Sequence, residues 1–246
     1  MDESLVPMLK ELRLPAFNDH HIALEEQATQ SAWSYRTYLG KLCEQELARR
    51  YQSRISKWTH EARLPQAKSF DTFELQLLDP ALQKKIIALR DNSQCALEAD
   101  NVLLIGPSGV GKSHIAAALT RQLIEQGVRA KWLSATALVQ HLQQAKQELD
   151  LMAAMTRFDK FRVVVIDDIG YVKKDDAETQ VLFEFIAHRY ESGSLIVTSN
   201  QPFSQWDQIF PDSLMTVAAI DRIIHHATIL EIDKDSYRQA NRKKQI

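Results

Sequence analysis

An α/β fold, built as a parallel sheet with helices on both faces, is predicted by three features of the sequence. From residue 101 onward, short apolar runs alternate with segments of helical periodicity, the signature of strand–helix–strand units. The first run, at 102–105, leads directly into Gly-x-x-x-x-Gly-Lys-Ser at 106–113, and an apolar-periodic helix follows from 114 to about 125. A later β-branched run, 163–166, ends in two adjacent carboxylates, Asp167 and Asp168. Sheets of this kind bind ligands beyond the carboxyl ends of their strands, where these polar residues fall.

The 106–113 segment reads as a phosphate-binding loop because strand precedes it and helix follows it. Its glycines let the backbone curl so that N–H groups point at phosphate oxygens. Lys112 can reach the β and γ phosphates, and the Ser113 hydroxyl can ligate Mg²⁺. The positive end of the new helix faces the same anion. ATP is therefore the expected ligand. The acid pair has the Walker B arrangement: Asp167 would hold Mg²⁺, directly or through water, and Asp168 would polarise the attacking water.

The remaining elements follow in order. Residues 128–134 form a strand, 135–149 a helix, 175–190 a helix and 194–200 a strand ending in Thr198, Ser199 and Asn200. A helix at 218–226 and a fifth strand at 227–232 complete the sheet. Asn200, at the end of the strand after the acid pair, is either a sensor of the γ-phosphate and water or a turn residue. Arg222 is the candidate for an arginine acting on a neighbouring subunit's nucleotide, the alternative being a surface pair with Asp221. His225 and His226 have no metal-ligand spacing and read as structural.

Ahead of this core, 1–30 reads as two short helices broken at Pro7 and Pro15, and 31–63 as one longer helix or two. Leu64-Pro65 ends this part, so a helical domain at 1–65 precedes an ATPase domain at 66–246. Residues 67–73 form an extended connector, whose Phe70 and Phe73 lie either near the adenine or anchored on the core, and a helix follows at 80–90. Residues 31–70 hold eight bases against three acids, a net charge of +5, while the whole chain is −2. Arg50, Arg54 and Lys57 fall at i, i+4 and i+7, a stripe able to track a phosphate backbone or simply to face solvent.

The net charge leaves no global field to draw the chain to nucleic acid, so any basic surface must be local. Cys43 and Cys95 fit no metal or disulfide framework, and no apolar stretch approaches membrane-spanning length. A soluble protein of the reducing cytoplasm, with no membrane partner, is the expectation.

Taken in series, GPSGVGKSH, VVVIDDIGY, IVTSNQPFSQW, AAIDRIIHHATILEI and DSYR, preceded by RLPQAKSFDTFE, resemble the IstB-type transposition helper ATPases of insertion sequences. These are relatives of the DnaC helicase loaders within the AAA+ superfamily. The resemblance covers nearly the whole chain and is strongest from about 63 to 238. It implies an AAA+ core with a five-stranded parallel sheet, and a DNA-bound ring or helical homo-oligomer with ATP between subunits. It also implies that the protein remodels target double-stranded DNA and recruits and stimulates a cognate transposase.

By that resemblance Gly106, Pro107, Ser108, Gly109, Val110, Gly111, Lys112 and Ser113 cradle the triphosphate, with His114 at the edge of the set. Asp167 and Asp168 serve Mg²⁺ and hydrolysis, and Asn200 is sensor 1. Asp168 stands where many AAA+ proteins carry Glu, which suits slow hydrolysis used as a switch. Thirteen residues follow Asp233, too few for the helical lid of many oligomeric ATPases, and Arg238 is the residue of that stub able to reach the phosphates. A DnaC-like helicase loader is the alternative within the superfamily. A small-molecule kinase would need a lid insertion after the acid pair, which the sequence does not offer, and a non-hydrolysing adaptor would be expected to lack Lys112 or Asp168.

Overall fold

A computed structural model describes residues 4–93, 98–170, 176–208 and 213–233. The chain divides into two compact units, Met1–Lys57 and Trp58–Ile246. The division falls ahead of the boundary expected at about residue 65, inside a continuous helix.

The first unit is helical. Helices α1 (Leu5–Glu11) and α2 (Pro15–Gln30) precede the long α3 (Tyr35–Ala62), so 31–63 yields one helix rather than two. Leu14 gives α2 no capping side chain. The buried Glu46 of α3 does that work, accepting the Ala16 N–H at 2.9 Å and placing a negative charge at the positive end of α2. Arg50 Nε donates to Glu46 at 2.8 Å, and its terminal nitrogen donates to the Arg13 carbonyl at 2.9 Å.

The second unit is built on five parallel strands: β1 (Asn101–Ile105), β2 (Ala130–Ser134), β3 (Val163–Asp167), β4 (Ser194–Ser199) and β5 (Ala227–Glu231). Their order across the sheet is β2-β3-β4-β1-β5. Val102 pairs with Ile196, Val165 also pairs with Ile196, and Asn101 pairs with Ala227, so β4 lies between the strand that feeds the phosphate loop and the strand that ends in the acids.

Side-chain alternation sends Leu103, Val164, Ile166, Leu195 and Val197 to one face. There they pack with α6 (Ala135–Gln147), α7 (Leu151–Thr156), α8 (Asp176–Arg189) and α9 (Ser213–Ile224) in one buried cluster. On the other face α5 (Lys112–Glu125) crosses β1 to β4 and is backed by α4 (Pro80–Asp91). Both faces are covered, which is why the strands read as continuous apolar runs.

The helix starts follow ordinary capping. Asp79 accepts from the Ala81 N–H at 2.8 Å ahead of Pro80, and Ser134 accepts from the Ala137 N–H at 3.2 Å. The connector expected to be extended at 67–73 instead contains a tight turn, Phe70–Thr72, closed by a reciprocal Ser69–Thr72 capping box. Helix α7 was not expected from the sequence. His225 and His226 fall in the turn beyond α9, their ring centroids 4.2 Å apart. Cys43 is exposed, while Cys95 and the stub that contains Arg238 lie outside the described residues.

Candidate active site

The site forms at the carboxyl ends of β1, β3 and β4, which the sheet order brings side by side. The phosphate loop leaves β1 at Gly106, which has φ 153° and whose N–H donates to the Ser199 carbonyl at 3.2 Å. Beside it the Ile232 N–H donates to Ile105 O at 2.8 Å, so β5 closes over the start of the loop. A Cβ at Gly106 would lie 2.2 Å from the Ile232 carbonyl oxygen, a backbone atom that cannot swing away.

At the other end of the loop Gly111, at φ 105°, is the N-cap of α5 and offers no side-chain cap, leaving first-turn N–H groups for an anion. A Cβ there would meet the Phe73 ring at 2.8 Å. Phe73 also packs on His114, ring centroids 5.0 Å apart, and His114 Nε2 lies 2.9 Å from the Ser69 carbonyl. Phe73 and His114 therefore clamp the connector against the back of the loop. Of the two readings of Phe73, the anchoring one describes this contact.

Lys112 is buried, and its ammonium donates to the carbonyls of Gly106 and Pro107 at 2.7 Å each. The charge is thereby held over the loop, where phosphate oxygens could replace the two carbonyls as acceptors. Ser113, the next residue, is half-buried in the first turn of α5.

Across the site Asp167 is half-buried and Asp168 exposed. Thr198, fully buried on β4, links them: its hydroxyl donates to Asp167 Oδ1 at 2.6 Å and accepts the Asp168 N–H at 2.8 Å. The Ile169 N–H adds a bond to the Thr198 carbonyl at 3.0 Å. Asp168 sits at φ 60°, a left-handed conformation that Asp tolerates better than most residues.

Asn200 follows β4, and its buried Oδ1 has no hydrogen-bond partner among the described residues. An unsatisfied buried acceptor costs about 1–3 kcal/mol, and groups of that kind collect where a ligand is handled. A Cβ at Gly170 would stand 2.7 Å from this oxygen, so only glycine lets Asn200 occupy its place. The turn beyond is fixed by Ser199 Oγ, which accepts the Gln201 N–H at 3.1 Å, and by fully buried Trp206, whose indole donates to Gln201 O at 3.3 Å. Sequence reasoning missed Thr198, Gly170 and Trp206 as site residues. Thr198 was readable only through the register that sets β4 beside β3.

The donor set suits Mg²⁺ carried with a nucleotide. This ion takes one or two protein oxygens plus phosphates and water, and the Ser113 hydroxyl with the Asp167 carboxylate supplies that number. Among the described residues no three His, Cys, Asp or Glu side chains gather to form an all-protein metal site.

Arg222 lies away from this site. It lines a cleft of about 100 Å³ with Asn101, Leu195 and Arg189, at the amino-terminal ends of β1 and β4. The length of β1 separates that end from the phosphate loop, about 13 Å at 3.3 Å per residue. The Arg222 guanidinium sits 5.3 Å from the Phe183 ring centroid and donates to the Ala218 carbonyl at 3.0 Å, rather than pairing with Asp221. In the same region the buried Arg189 donates to Phe161 O and Arg162 O at 3.0 Å each, and burial lowers its pKa to about 10. Of the basic stripe on α3, Arg50 is engaged with Glu46 and Arg13 as above, Arg54 lies over the Tyr51 ring at 5.3 Å, and Lys57 is exposed.

A phosphate loop, an acid pair and a polar strand end inserted between them, on a sheet ordered β2-β3-β4-β1-β5, define a P-loop ATPase. The chain belongs to the family of IstB-like ATP binding proteins, matching it over residues 7–245. It is 43% identical over 232 residues to an insertion sequence ATP-binding protein of Sinorhizobium fredii, covering 94% of this chain and 78% of that one. It is 32% identical to the insertion sequence IS21 ATP-binding protein of Pseudomonas aeruginosa, covering 96% of this chain and 89% of the relative. Among solved structures, the DnaC helicase loader superposes with a TM-score of 0.56 at 21% identity, covering 67% of this chain and 96% of that one, a likeness of fold alone. The described residues contain no helix long and apolar enough to cross a membrane.

Proposed function

We propose that this ATPase is a transposition helper: with ATP bound it assembles as a homo-oligomer on target double-stranded DNA, remodels that DNA, and recruits and stimulates its cognate transposase. Hydrolysis then acts as the switch that releases the assembly. The family and its insertion-sequence relatives support the setting. The single observation that carries the oligomeric part is the location of Arg222. It is fixed by Phe183 and Ala218 at the end of the sheet opposite its own phosphate loop, a place that supports action on a neighbouring subunit's nucleotide over action on its own.

In this mechanism Lys112 exchanges its two carbonyl acceptors for phosphate oxygens, and the N–H groups of 106–113 cradle the triphosphate. Mg²⁺, held by Ser113 and Asp167, would neutralise charge on the β and γ oxygens. Asp168 accepts the proton of the attacking water, and Asn200 orients that water against the γ-phosphate. Thr198 holds the two aspartates of the β3 end in register with Asn200, because its hydroxyl bonds both of them from a position two residues before Asn200. Arg222 of a neighbouring subunit supplies positive charge against the negative charge that develops on the transferring phosphoryl group, and Arg238 is a second candidate for phosphate contact. On the DNA side, Arg54 and Lys57 of α3 remain candidates, with Arg50 acting mainly to hold α2 and α3 together. The helicase-loader alternative has only the fold likeness behind it.

Light scattering with double-stranded DNA and a non-hydrolysable ATP analogue tests the reading, followed by capture of the cognate transposase. Large assemblies that retain the transposase are expected. A monomer indifferent to nucleotide and DNA would refute it.

A further inference from the structure

Phe161 is buried just ahead of β3, and three cations surround its ring. Lys160 Nζ stands 4.9 Å from the centroid, the Arg129 guanidinium 5.3 Å and Lys131 Nζ 6.0 Å. One residue, Glu61, serves all of them. Its carboxylate accepts two bonds of 2.9 Å from Arg129 and lies 3.3 Å from Lys160, while its carbonyl accepts Lys131 at 2.8 Å.

A fourth cation, the exposed Arg63, also acts on Lys131: burial first, then Arg63 and Lys160, hold that ammonium below its ordinary value. The nearby acid Asp159 brings no relief, because it is engaged by His188 at 2.9 Å and Arg189 at 3.7 Å. Arg129 and Lys160 share the Glu61 carboxylate, Lys131 holds its carbonyl and Arg63 acts on Lys131, so four cations stand with one carboxylate, a local excess of three charges in a chain whose net charge is −2. Such a cluster repels itself and is stabilised by an added anion.

The cluster also has a defined place. Arg129 and Lys131 open the edge strand β2, and Lys160 precedes β3, so the cations sit at the amino-terminal ends of the strands. The ATP site occupies the carboxyl ends. The two sites are separate, and the cluster offers spaced point charges. That chemistry suits a repeating phosphodiester rather than a single small anion.

We infer that Arg63, Arg129, Lys131 and Lys160 form a binding site for the phosphodiester backbone of double-stranded DNA. This rests on the reading of the protein as a DNA-assembling ATPase and locates part of the contact in the ATPase domain. The test is DNA binding across a salt series for native protein and for the Lys131→Gln, Lys160→Gln double variant, which keeps side-chain stems on Phe161 while removing two charges. The expected result is an affinity at least tenfold lower and a plot of log K against log salt shallower by about 2, with ATP binding serving as the check of folding. As a second measurement on native protein, DNA should protect Lys160 from an amine-reactive label. Equal affinity and slope in the variant, or unchanged Lys160 labelling, would overturn the site while leaving the DNA-binding reading intact. Failure of the native protein to bind DNA at all would overturn both.

Discussion

The Thr198 hydroxyl, fully buried on β4, donates a 2.6 Å hydrogen bond to Asp167 Oδ1. The Thr198 hydroxyl oxygen also accepts the Asp168 N–H at 2.8 Å, so one side chain fixes the candidate Mg²⁺ ligand and the backbone of the candidate base. Thr198→Val keeps the shape and removes both bonds. A hydrogen bond to a charged group contributes about 1.5–3 kcal/mol, so turnover should fall by roughly 10- to 100-fold with little change in KM for ATP. Thr198→Ser retains the hydroxyl and should stay within a few-fold of native. Steady-state kinetics of the two variants separates positioning from loss of packing, because Ser loses the methyl group and Val does not.

Gly170 and Asn200 make a second positioning pair. The Cβ of Gly170→Ala would lie 2.7 Å from Asn200 Oδ1 and displace it. Hydrolysis should drop at least tenfold while ATP binding survives, and Asn200→Ala should behave similarly. Combining them should be no worse than the more severe single change, since both remove the same arrangement. Additive losses in that double-mutant cycle would argue against the pair.

Asp168 occupies a left-handed backbone position that disfavours longer side chains. Asp168→Glu should therefore lower the melting temperature slightly, while its longer reach brings the carboxylate nearer the water and should raise turnover. An unchanged or lower rate would remove the argument that Asp168 slows hydrolysis for use as a switch.

Glu61 gives a pH signature. Burial alone would raise its carboxyl, but the hydrogen bonds from Arg129 and Lys160 outweigh that and hold it below the model-peptide value of 4.5. A carboxylate with a depressed native pKa stabilises the fold above its unfolded value and loses that contribution as pH falls through the native value. Glu61→Gln should melt below native protein at pH 7, and the gap should narrow below about pH 4.5. Thermal melts at both pH values check this, and a gap that does not change with pH would contradict it.

The candidate ATP site was largely legible in the sequence because its parts are local. A glycine loop between strand and helix, and two acids after a β-branched run, each announce themselves within about ten residues. What the sequence could not display was the insertion of β4 between β1 and β3, which depends on pairings such as Val102 with Ile196. Thr198, Gly170 and Trp206 acquire their roles only through that order. The α3 stripe shows the opposite difficulty. Arg50 looked equivalent to Arg54 and Lys57, yet its partners Glu46 and the Arg13 carbonyl give it a structural task that helical spacing cannot reveal. The Phe161 cluster was invisible for the same reason, drawing its members from α3, β2 and the approach to β3.

The central claim is that ATP is hydrolysed between subunits, and a mixing experiment tests it most directly. Lys112→Ala abolishes the site in its own subunit, and Arg222→Ala removes the charge offered to a neighbour. With double-stranded DNA present, each variant alone should show little turnover and the native protein should be stimulated and grow into large assemblies. A mixture of the two variants should regain part of the native rate, because interfaces that pair an intact Lys112 with an intact Arg222 form again. Full activity of Arg222→Ala alone, or no recovery on mixing, would contradict a shared site.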